Sequence, residues 1–215
     1  MRIGVLGSGR IGFTAARMLA RHGHDVWVAN TRGPESLRDE QHLLEGAQPA
    51  APAEAVARAD LVLLALPWRA HPALGGYGPW EGKVVVDATN PYGPAGEVLD
   101  LGGATSTEVI ARELPGARMV KALNTLHWMR LRDEARPDAD ERERLAVFVA
   151  GDDAEAKRVV ADLLAEIGFA AIDTGSLVDG GRRQQPGSEL YNVPLVPAQA
   201  EELLARTSGD DADRP

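Results

Sequence analysis

The chain has 215 residues and a formal net charge of −9, 44% of its residues are hydrophobic, and it contains no cysteine. This length suits one globular domain, alone or with a small appendage. The acidic balance disfavours a nucleic-acid partner, because such binding draws mainly on phosphate neutralisation, and the lack of cysteine excludes disulfides. No apolar run is long enough for a membrane span and no signal-peptide pattern occurs, so we expect a cytoplasmic protein without a membrane partner.

Short apolar runs alternate with helical patterns along the chain. The predicted strands cover residues 2–6, 25–29, 60–66, 83–87, 117–122, 144–150 and 169–173. The predicted helices cover residues 10–22, 35–44, 52–59, 105–114, 152–167 and 197–206. We expect Ser106 or Thr107 to cap the fourth helix. The alternation is typical of an α/β protein with a doubly wound, mainly parallel sheet and helices on both faces.

The first predicted strand leads into a glycine-rich phrase, Gly7-Ser8-Gly9-Arg10-Ile11-Gly12, that opens the first helix. A lone Gly-x-Gly-x-x-Gly is a weak motif, but this strand-to-helix context raises its specificity for a dinucleotide considerably; the alternative is a glycine turn in a Rossmann-type domain that binds no nucleotide. Gly7 would make the tight turn, Gly9 would let the backbone approach a pyrophosphate, and Gly12 would let the helix pack closely on the strand. The helix N-terminus offers N–H groups to the phosphates, so all six residues are predicted cofactor contacts.

The second strand ends in Asn30-Thr31-Arg32. A site specific for NAD places a carboxylate at this point to accept from the ribose 2′-hydroxyl, and a carboxylate would repel a 2′-phosphate. Here an amide, a hydroxyl and a guanidinium take its place, and Ser36 would add a second hydroxyl. The residues favour NADP over NAD; the alternative is that Arg32 is a solvated turn residue.

The nicotinamide is expected across the carboxyl ends of the strands, at the point where the strand order reverses. Three loop ends supply candidates for contacts with it: Leu66, Pro67 and Trp68 after the third strand, Asn90 and Pro91 after the fourth, and Asn124 and Thr125 after the fifth. We therefore predict a Rossmann-type NADP-binding domain over residues 1–150. A small C-terminal part over 151–206 would complete the acceptor site, and 207–215 would be a disordered tail.

The same residues carry a resemblance to a known family. The stretches GSGRIG, NTR, ALPW, KVVVDATNP and VKALNT resemble those of NADP-dependent coenzyme F420 oxidoreductases, and the resemblance extends from Met1 to about Ser176. The segment KALNT, residues 121–125, is also similar to the cytosolic domain of membrane ferric reductases. Pyrroline-5-carboxylate reductases resemble this chain only in their N-terminal fold. Their long C-terminal helical domain has no room in this chain, which counts against that family.

The family resemblance implies direct hydride transfer between the nicotinamide and the deazaflavin of F420, with no protein acid or base. Six residues would then frame the two rings: Pro67, Trp68, Asn90, Asn124, Thr125 and Leu126. His127 is a further candidate for a ring contact, or a helix cap. Archaeal members of the family typically have histidine in place of Asn124 and proline in place of His127, so the wall that faces F420 is altered here.

A basic, glycine-flanked segment at 180–192 is the other informative stretch in an acidic chain. Arg182 and Arg183 are predicted to meet the negatively charged tail of F420, with Tyr191 as a further acceptor contact; the alternative is a solvated loop. Apolar residues that include Trp80, Leu190 and Val193 suggest a homodimer interface.

Three functions remain open at this point. The first is hydride transfer between NADP(H) and F420, and the second is reduction of a flavin (FMN, FAD or riboflavin) or a ferric chelate by NADPH. The third is a redox sensor that binds NADPH without turnover. No His, Asp or Glu residues have metal-ligand spacing, so we expect no metal.

Overall fold

A computed structural model describes the backbone of residues 1–210 and the side chains of residues 1–206. The strands are β1 (Arg2–Leu6), β2 (Asp25–Ala29), β3 (Gln48–Ala50), β4 (Leu61–Leu64), β5 (Val84–Asp87), β6 (Arg118–Lys121), β7 (Ala146–Ala150) and β8 (Ala170–Gly175). The α-helices are α1 (Arg10–Arg21), α2 (Pro52–Arg58), α3 (Ser106–Glu113), α4 (Trp128–Asp133), α5 (Ala154–Glu166), α6 (Asp179–Arg183) and α7 (Pro197–Asp210). Short 3₁₀ helices cover Pro34–Leu37, Gln41–Leu43, Trp68–Tyr77 and Glu141–Glu143.

The strands form one eight-stranded sheet in the order β3-β2-β1-β4-β5-β6-β7-β8. The first six are parallel, β7 pairs with β6 in the antiparallel sense at the single position Lys121–Ala150, and β8 is parallel to β7. The prediction of a doubly wound, mainly parallel α/β fold is confirmed. Because β1 lies between β2 and β4, the strand order reverses beside it, and a crevice opens at the carboxyl ends there.

The sheet is covered on both faces, which explains its continuous apolar strands. Side chains alternate along a strand, so Leu61 and Leu63 pack into one buried cluster, with α1 and α5, while Val62 and Leu64 pack into the other, with α2 and α3. Residues of β7 such as Val147 join the same cluster as Ile3 of β1. A continuous core therefore runs from the N-terminal strands into the C-terminal part.

The structure differs from the sequence-based prediction in four local features. The predicted helix at 35–44 is two 3₁₀ turns, with Leu37 and Leu44 as its buried apolar residues. The edge strand β3 was not predicted, because its three residues, QPA, are too few to show a period. Helices α4 and α6 were not predicted either; α6 is only five residues long and contains two glycines, which are poor helix formers.

The predicted cap of α3 was wrong by one or two residues. Thr105 is the N-cap; its side chain accepts from the Glu108 amide, and the Glu108 side chain accepts from the Thr105 amide. Ser106 and Thr107 lie inside the helix and are buried.

The C-terminal part has features that bear on the predicted boundaries and interface. β7 pairs with β8 at five positions and with β6 at one, so it is joined more closely to the C-terminal part than a boundary at 150 implies. Trp80 and Leu190 are buried in the chain's own core and are not available to a dimer interface, whereas Val193 is exposed.

Of the predicted tail, residues 207–210 continue α7, and residues 211–215 lie outside the described residues. Among residues 1–210, no helix has the length and apolar character to cross a bilayer.

Thr105→Ala is expected to lower the free energy of unfolding by about 1 kcal/mol, because it removes the capping box of α3. Urea denaturation measures the change, and Thr105→Ser, which keeps the hydroxyl, is the matched control. Equal stability of the Ala and Ser variants would contradict the assigned cap.

Candidate functional site

A cleft of about 730 Å³ opens at the carboxyl ends of β1, β2, β4 and β5. Its walls are residues 6–11, 29–32, 65–70 and 88–90, together with Pro52, Tyr77, Tyr92 and Gly93. These loops follow neighbouring parallel strands, which is why residues distant in the sequence meet at one edge of the sheet. The cleft therefore coincides with the crevice that the strand order creates.

The glycine phrase is required by close backbone approaches. Gly7 has φ +121°, and a Cβ on it would stand 2.0 Å from the carbonyl oxygen of Ala65. A Cβ on Gly12 would stand 2.0 Å from the carbonyl oxygen of Gly7. A Cβ on Gly9, in contrast, would meet nothing within 4 Å. Gly7 and Gly12 hold β1, β4 and α1 together, and Gly9 leaves open space at the start of the helix.

The N-terminus of α1 points an uncapped backbone at this open space. Gly9 is the N-cap residue in extended conformation, and no side chain of the described residues caps the first turn. An uncapped helix start with room for a ligand suits an anion such as a pyrophosphate. The residues present thus fit the phosphates of a dinucleotide.

Asn30 organises the end of β2. Its Nδ2 donates to Ser8 Oγ (2.9 Å) and Ser36 Oγ (3.0 Å), and its Oδ1 accepts from the Arg32 amide (2.8 Å). The amide therefore ties the glycine phrase to the loop that carries Arg32. The Arg32 guanidinium is exposed and makes no hydrogen bond or ion pair within the part of the chain that the structure describes.

The charge of the cleft is opposite to that of the chain. Among residues 1–206, its lining contains Arg10, Arg32 and Arg69 and no Asp or Glu, although the chain has 32 acidic and 23 basic residues. The Arg10 guanidinium lies 5.2 Å from the ring centroid of Trp128. Arg69 was missed from the sequence; its place directly after the ALPW phrase was the available signal, but which way that loop faces could not be inferred. The cleft as a whole suits an anionic ligand.

Asn90 marks the opposite end of the cleft from Arg32. Its Nδ2 donates to the Asn124 carbonyl (2.9 Å), and its Oδ1 accepts from Asn124 Nδ2 (3.1 Å). Asn124 is only 4% exposed and also donates to the Gln184 carbonyl (2.7 Å). Asn124, Thr125 and Leu126 are all buried behind the cleft, outside its lining. Asn124 thus supports Asn90 from behind, and the ring contacts of Asn124, Thr125 and Leu126 stay predictions.

The remaining predicted contacts divide between the cleft wall and other places. Leu66, Pro67 and Trp68 line the cleft, although Trp68 is 7% exposed and packs in the core. Ile11 and Thr31 line the cleft, whereas Pro91 is outside its lining. His127 is exposed and caps α4, accepting from the Met129 amide. His127 therefore has the helix-capping role that was the alternative to a ring contact.

The two arginines predicted for the acceptor do not reach the cleft lining. Arg182 donates to the carbonyl of Gly103 (2.7 Å), and Arg183 donates to the carbonyl of Leu204 (2.8 Å). Both guanidinium groups are thus engaged by backbone that belongs to the protein itself. Tyr191, in contrast, reaches the edge of the cleft, where its hydroxyl contacts Asn90 and Tyr92.

A buried ion pair behind the cleft was not recognised in the sequence. Lys121 Nζ donates to Asp87 Oδ2 (3.1 Å), to the Thr89 carbonyl (2.5 Å) and to Ser106 Oγ (3.0 Å). Thr107 Oγ1 donates to Asp87 Oδ2 (2.6 Å), and the Thr89 amide donates to Oδ1 (2.9 Å). Complete burial lowers the pKa of Lys121, and Asp87 opposes that change. The pair ties the ends of β5 and β6 to α3 and fixes the residues that lead to Asn90.

The fold and the cleft together define a dinucleotide-binding α/β protein. The family of coenzyme F420-dependent NADP oxidoreductases matches residues 2–91. The solved structure of a hypothetical protein, SMa0349, from Sinorhizobium meliloti is 33% identical and covers 91% of this chain and 95% of its own, with a TM-score of 0.82. A protein from Arthrobacter sp. FB24, provisionally described as an F420-dependent NADP reductase, is 30% identical, covers 96% of this chain and 91% of its own, and has a TM-score of 0.70.

A curated relative also matches part of the chain. Metalloreductase STEAP3 from Rattus norvegicus is 29% identical over 177 residues, which is 82% of this chain and 34% of that protein. The chain thus spans about a third of the length of this relative. Taken together, the matches show that the chain belongs to the family of coenzyme F420-dependent NADP oxidoreductases. It is an NADP-dependent oxidoreductase.

Lys121→Met is expected to lower the free energy of unfolding by about 3–5 kcal/mol, because it leaves the Asp87 carboxylate buried without a counter-ion. Lys121→Met combined with Asp87→Leu removes both charges and is expected to regain much of that loss. Chemical denaturation at neutral pH measures both variants. A double variant less stable than the single one would contradict this account of the pair.

Proposed function

We propose that the chain transfers a hydride between NADP(H) and coenzyme F420. The observation that carries the proposal is the contrast between the two ends of one cleft. The Arg32 guanidinium, which has no partner among residues 1–206, occupies one end, and the neutral groups Asn90, Tyr92 and Tyr191 occupy the other. The first end suits the adenosine 2′-phosphate, and the second suits an uncharged ring beside the nicotinamide. The family description and the Arthrobacter relative support F420 as that ring.

Each part of the cleft has a distinct task in this proposal. The N-terminus of α1 and the space at Gly9 hold the pyrophosphate, while Arg32 holds the 2′-phosphate. Asn30 and Ser36, which are hydrogen-bonded to each other, hold the loop that carries Arg32. This places the nicotinamide toward the ends of β4 and β5, because the adenosine half lies toward β2. Bound NADPH supplies the hydride from C4 of its nicotinamide.

The other residues at this end of the cleft hold the nicotinamide ring in a fixed orientation. Pro67 and the packed Trp68 form a stiff wall at the end of β4. Asn90, held in turn by Asn124, fixes the wall at the end of β5. Holding two rings in contact accounts for a large part of the rate of such a transfer, so no residue needs to act as acid or base. Tyr191 brings the predicted C-terminal part, residues 151–206, to this end of the site.

A second candidate is the reduction of a flavin or a ferric chelate by NADPH. Two observations favour it. STEAP3, a metalloreductase by name, is similar over most of this chain. Arg182 and Arg183, which were expected to meet the charged tail of F420, are instead bonded to the carbonyls of Gly103 and Leu204. A small flavin or a chelate needs no such tail site.

Arg32→Glu is expected to raise the Kd for NADPH roughly 10²-fold and to change the Kd for NADH little, because it replaces a 2′-phosphate donor by a repelling carboxylate. Nucleotide fluorescence titration measures both constants. Arg38→Glu is the matched control, since Arg38 is exposed, pairs with Glu35 and lies outside the cleft. An equal loss for NADPH and NADH would contradict the 2′-phosphate role.

The acceptor is tested by following NADPH oxidation with oxidised F420, FMN, FAD, riboflavin and ferric chelates in parallel. We expect F420 to be reduced fastest. At low NADPH concentration, Arg32→Glu is expected to lower the rate of reduction of every acceptor by the same factor. Rapid flavin or chelate reduction without F420 turnover would replace the first candidate by the second. Binding of NADPH with no acceptor reduced would contradict both.

A further inference from the structure

Two tyrosines from distant parts of the chain meet at the neutral end of the cleft. Tyr92 follows β5 and lines the cleft, with 38% of its surface exposed. Tyr191 comes from the segment between α6 and α7 and is half-buried. Their hydroxyl oxygens lie 3.0 Å apart, and Asn90 Nδ2 lies 3.3 Å from the hydroxyl oxygen of Tyr191.

Both tyrosines are held in place from neighbouring residues. Leu190 is buried, and the amide of Asn192 donates to the Thr125 carbonyl (2.9 Å), so Tyr191 is anchored on both sides. The amide of Tyr92 donates to the Asn90 carbonyl (2.8 Å). The pair is therefore a fixed feature of the cleft edge.

A count of protons leaves one O–H of this pair without an acceptor. Two hydroxyls carry two protons, and one of these protons lies in the bond between them. The Tyr191 oxygen accepts from both Tyr92 and Asn90, which fills its two lone pairs and leaves its own proton as a donor. Neither hydroxyl has another hydrogen-bond partner among residues 1–206.

Burial raises the pKa of Tyr191 well above its ordinary value. The hydroxyl therefore stays protonated at any pH at which the protein works. It can donate a hydrogen bond throughout that range, and it is a poor source of a transferred proton.

We propose that the free O–H of Tyr191 donates a hydrogen bond to a carbonyl oxygen of the ring acceptor, and that Asn90 and Tyr92 aim it. This inference rests on the proposed function. The hydride leaves C4 of the dihydronicotinamide as its C–H bond breaks, and a new C–H bond forms at the electrophilic ring carbon. The nicotinamide is oxidised and the acceptor gains two electrons, with negative charge on its conjugated carbonyl system until water supplies one proton. A fixed donor at that oxygen stabilises the charge as it develops.

The pair also defines the class of acceptor. A conjugated ring that carries a carbonyl, as flavins and deazaflavins do, uses the donor, whereas a ferric chelate gains nothing from it. Tyr191 is thus a catalytic residue in this proposal, and Asn90 and Tyr92 are positioning residues.

The test compares Tyr191→Phe and Tyr92→Phe with Val193→Ala, an exposed residue two positions further along the same segment. With NADPH saturating, we expect Tyr191→Phe to slow single-turnover reduction of F420 roughly 10²-fold. Tyr92→Phe is expected to slow it only a few-fold, because Asn90 still aims the donor, and Val193→Ala is expected to match the wild type. The Kd for NADPH should change less than two-fold in all three variants.

A second measurement follows binding without turnover. The visible absorption band of oxidised F420 should shift on binding to the wild type and to Val193→Ala, and shift less with Tyr191→Phe. A Tyr191→Phe variant as fast as the wild type overturns the inference, as does a larger loss in Tyr92→Phe or a parallel loss of NADPH affinity. A wild type that binds NADPH but reduces no ring acceptor overturns the proposed function itself, and the inference with it.

Discussion

No side chain fits between Gly7 and the carbonyl of Ala65, and the site depends on that contact. The turn at Gly7 brings the end of β1 against the end of β4, and Gly12 then lets α1 lie directly over the turn. A Cβ at either position would separate the strand from the helix. The first turn of α1 would then no longer face the open space at Gly9. The helix start, the crevice and the loop of Asn30 are thus consequences of one close approach between backbones.

A second constraint acts on the other half of the cleft. Lys121 and Asp87 bind across the ends of β6 and β5 with both side chains buried, so each charge requires the other. The Lys121 ammonium fixes the Thr89 carbonyl, and the next residue along the chain is Asn90. The half of the cleft that suits the nucleotide phosphates therefore depends on the close backbone approaches at Gly7 and Gly12. The half that suits the ring depends on the buried ion pair between Lys121 and Asp87.

Much of the fold and the phosphate end could be predicted because their signals are local. The strand before Gly7, the glycine spacing and the absence of a carboxylate at Asn30-Thr31-Arg32 are all visible within one short stretch of sequence. The other end depends on long-range pairing, which leaves no such trace. Nothing local shows that Asn124 is buried behind Asn90 and bonded to Asn90 and Gln184, or that Arg183 is bonded to α7. Lys121 resembles an ordinary residue in an apolar strand until its three acceptors are seen together.

The cleft and the rest of the molecule carry opposite charge, and this has a kinetic consequence. The chain bears a net charge of −9, yet Arg10, Arg32 and Arg69 stand in a lining without Asp or Glu. A diffusing anion is repelled by most of the surface and attracted by one opening, so that successful encounters are concentrated on a single approach path. Mobile ions shorten the reach of this field to about 10 Å at 0.1 M salt. The charge of the outer surface thus steers an anionic ligand toward the cleft before the two molecules touch.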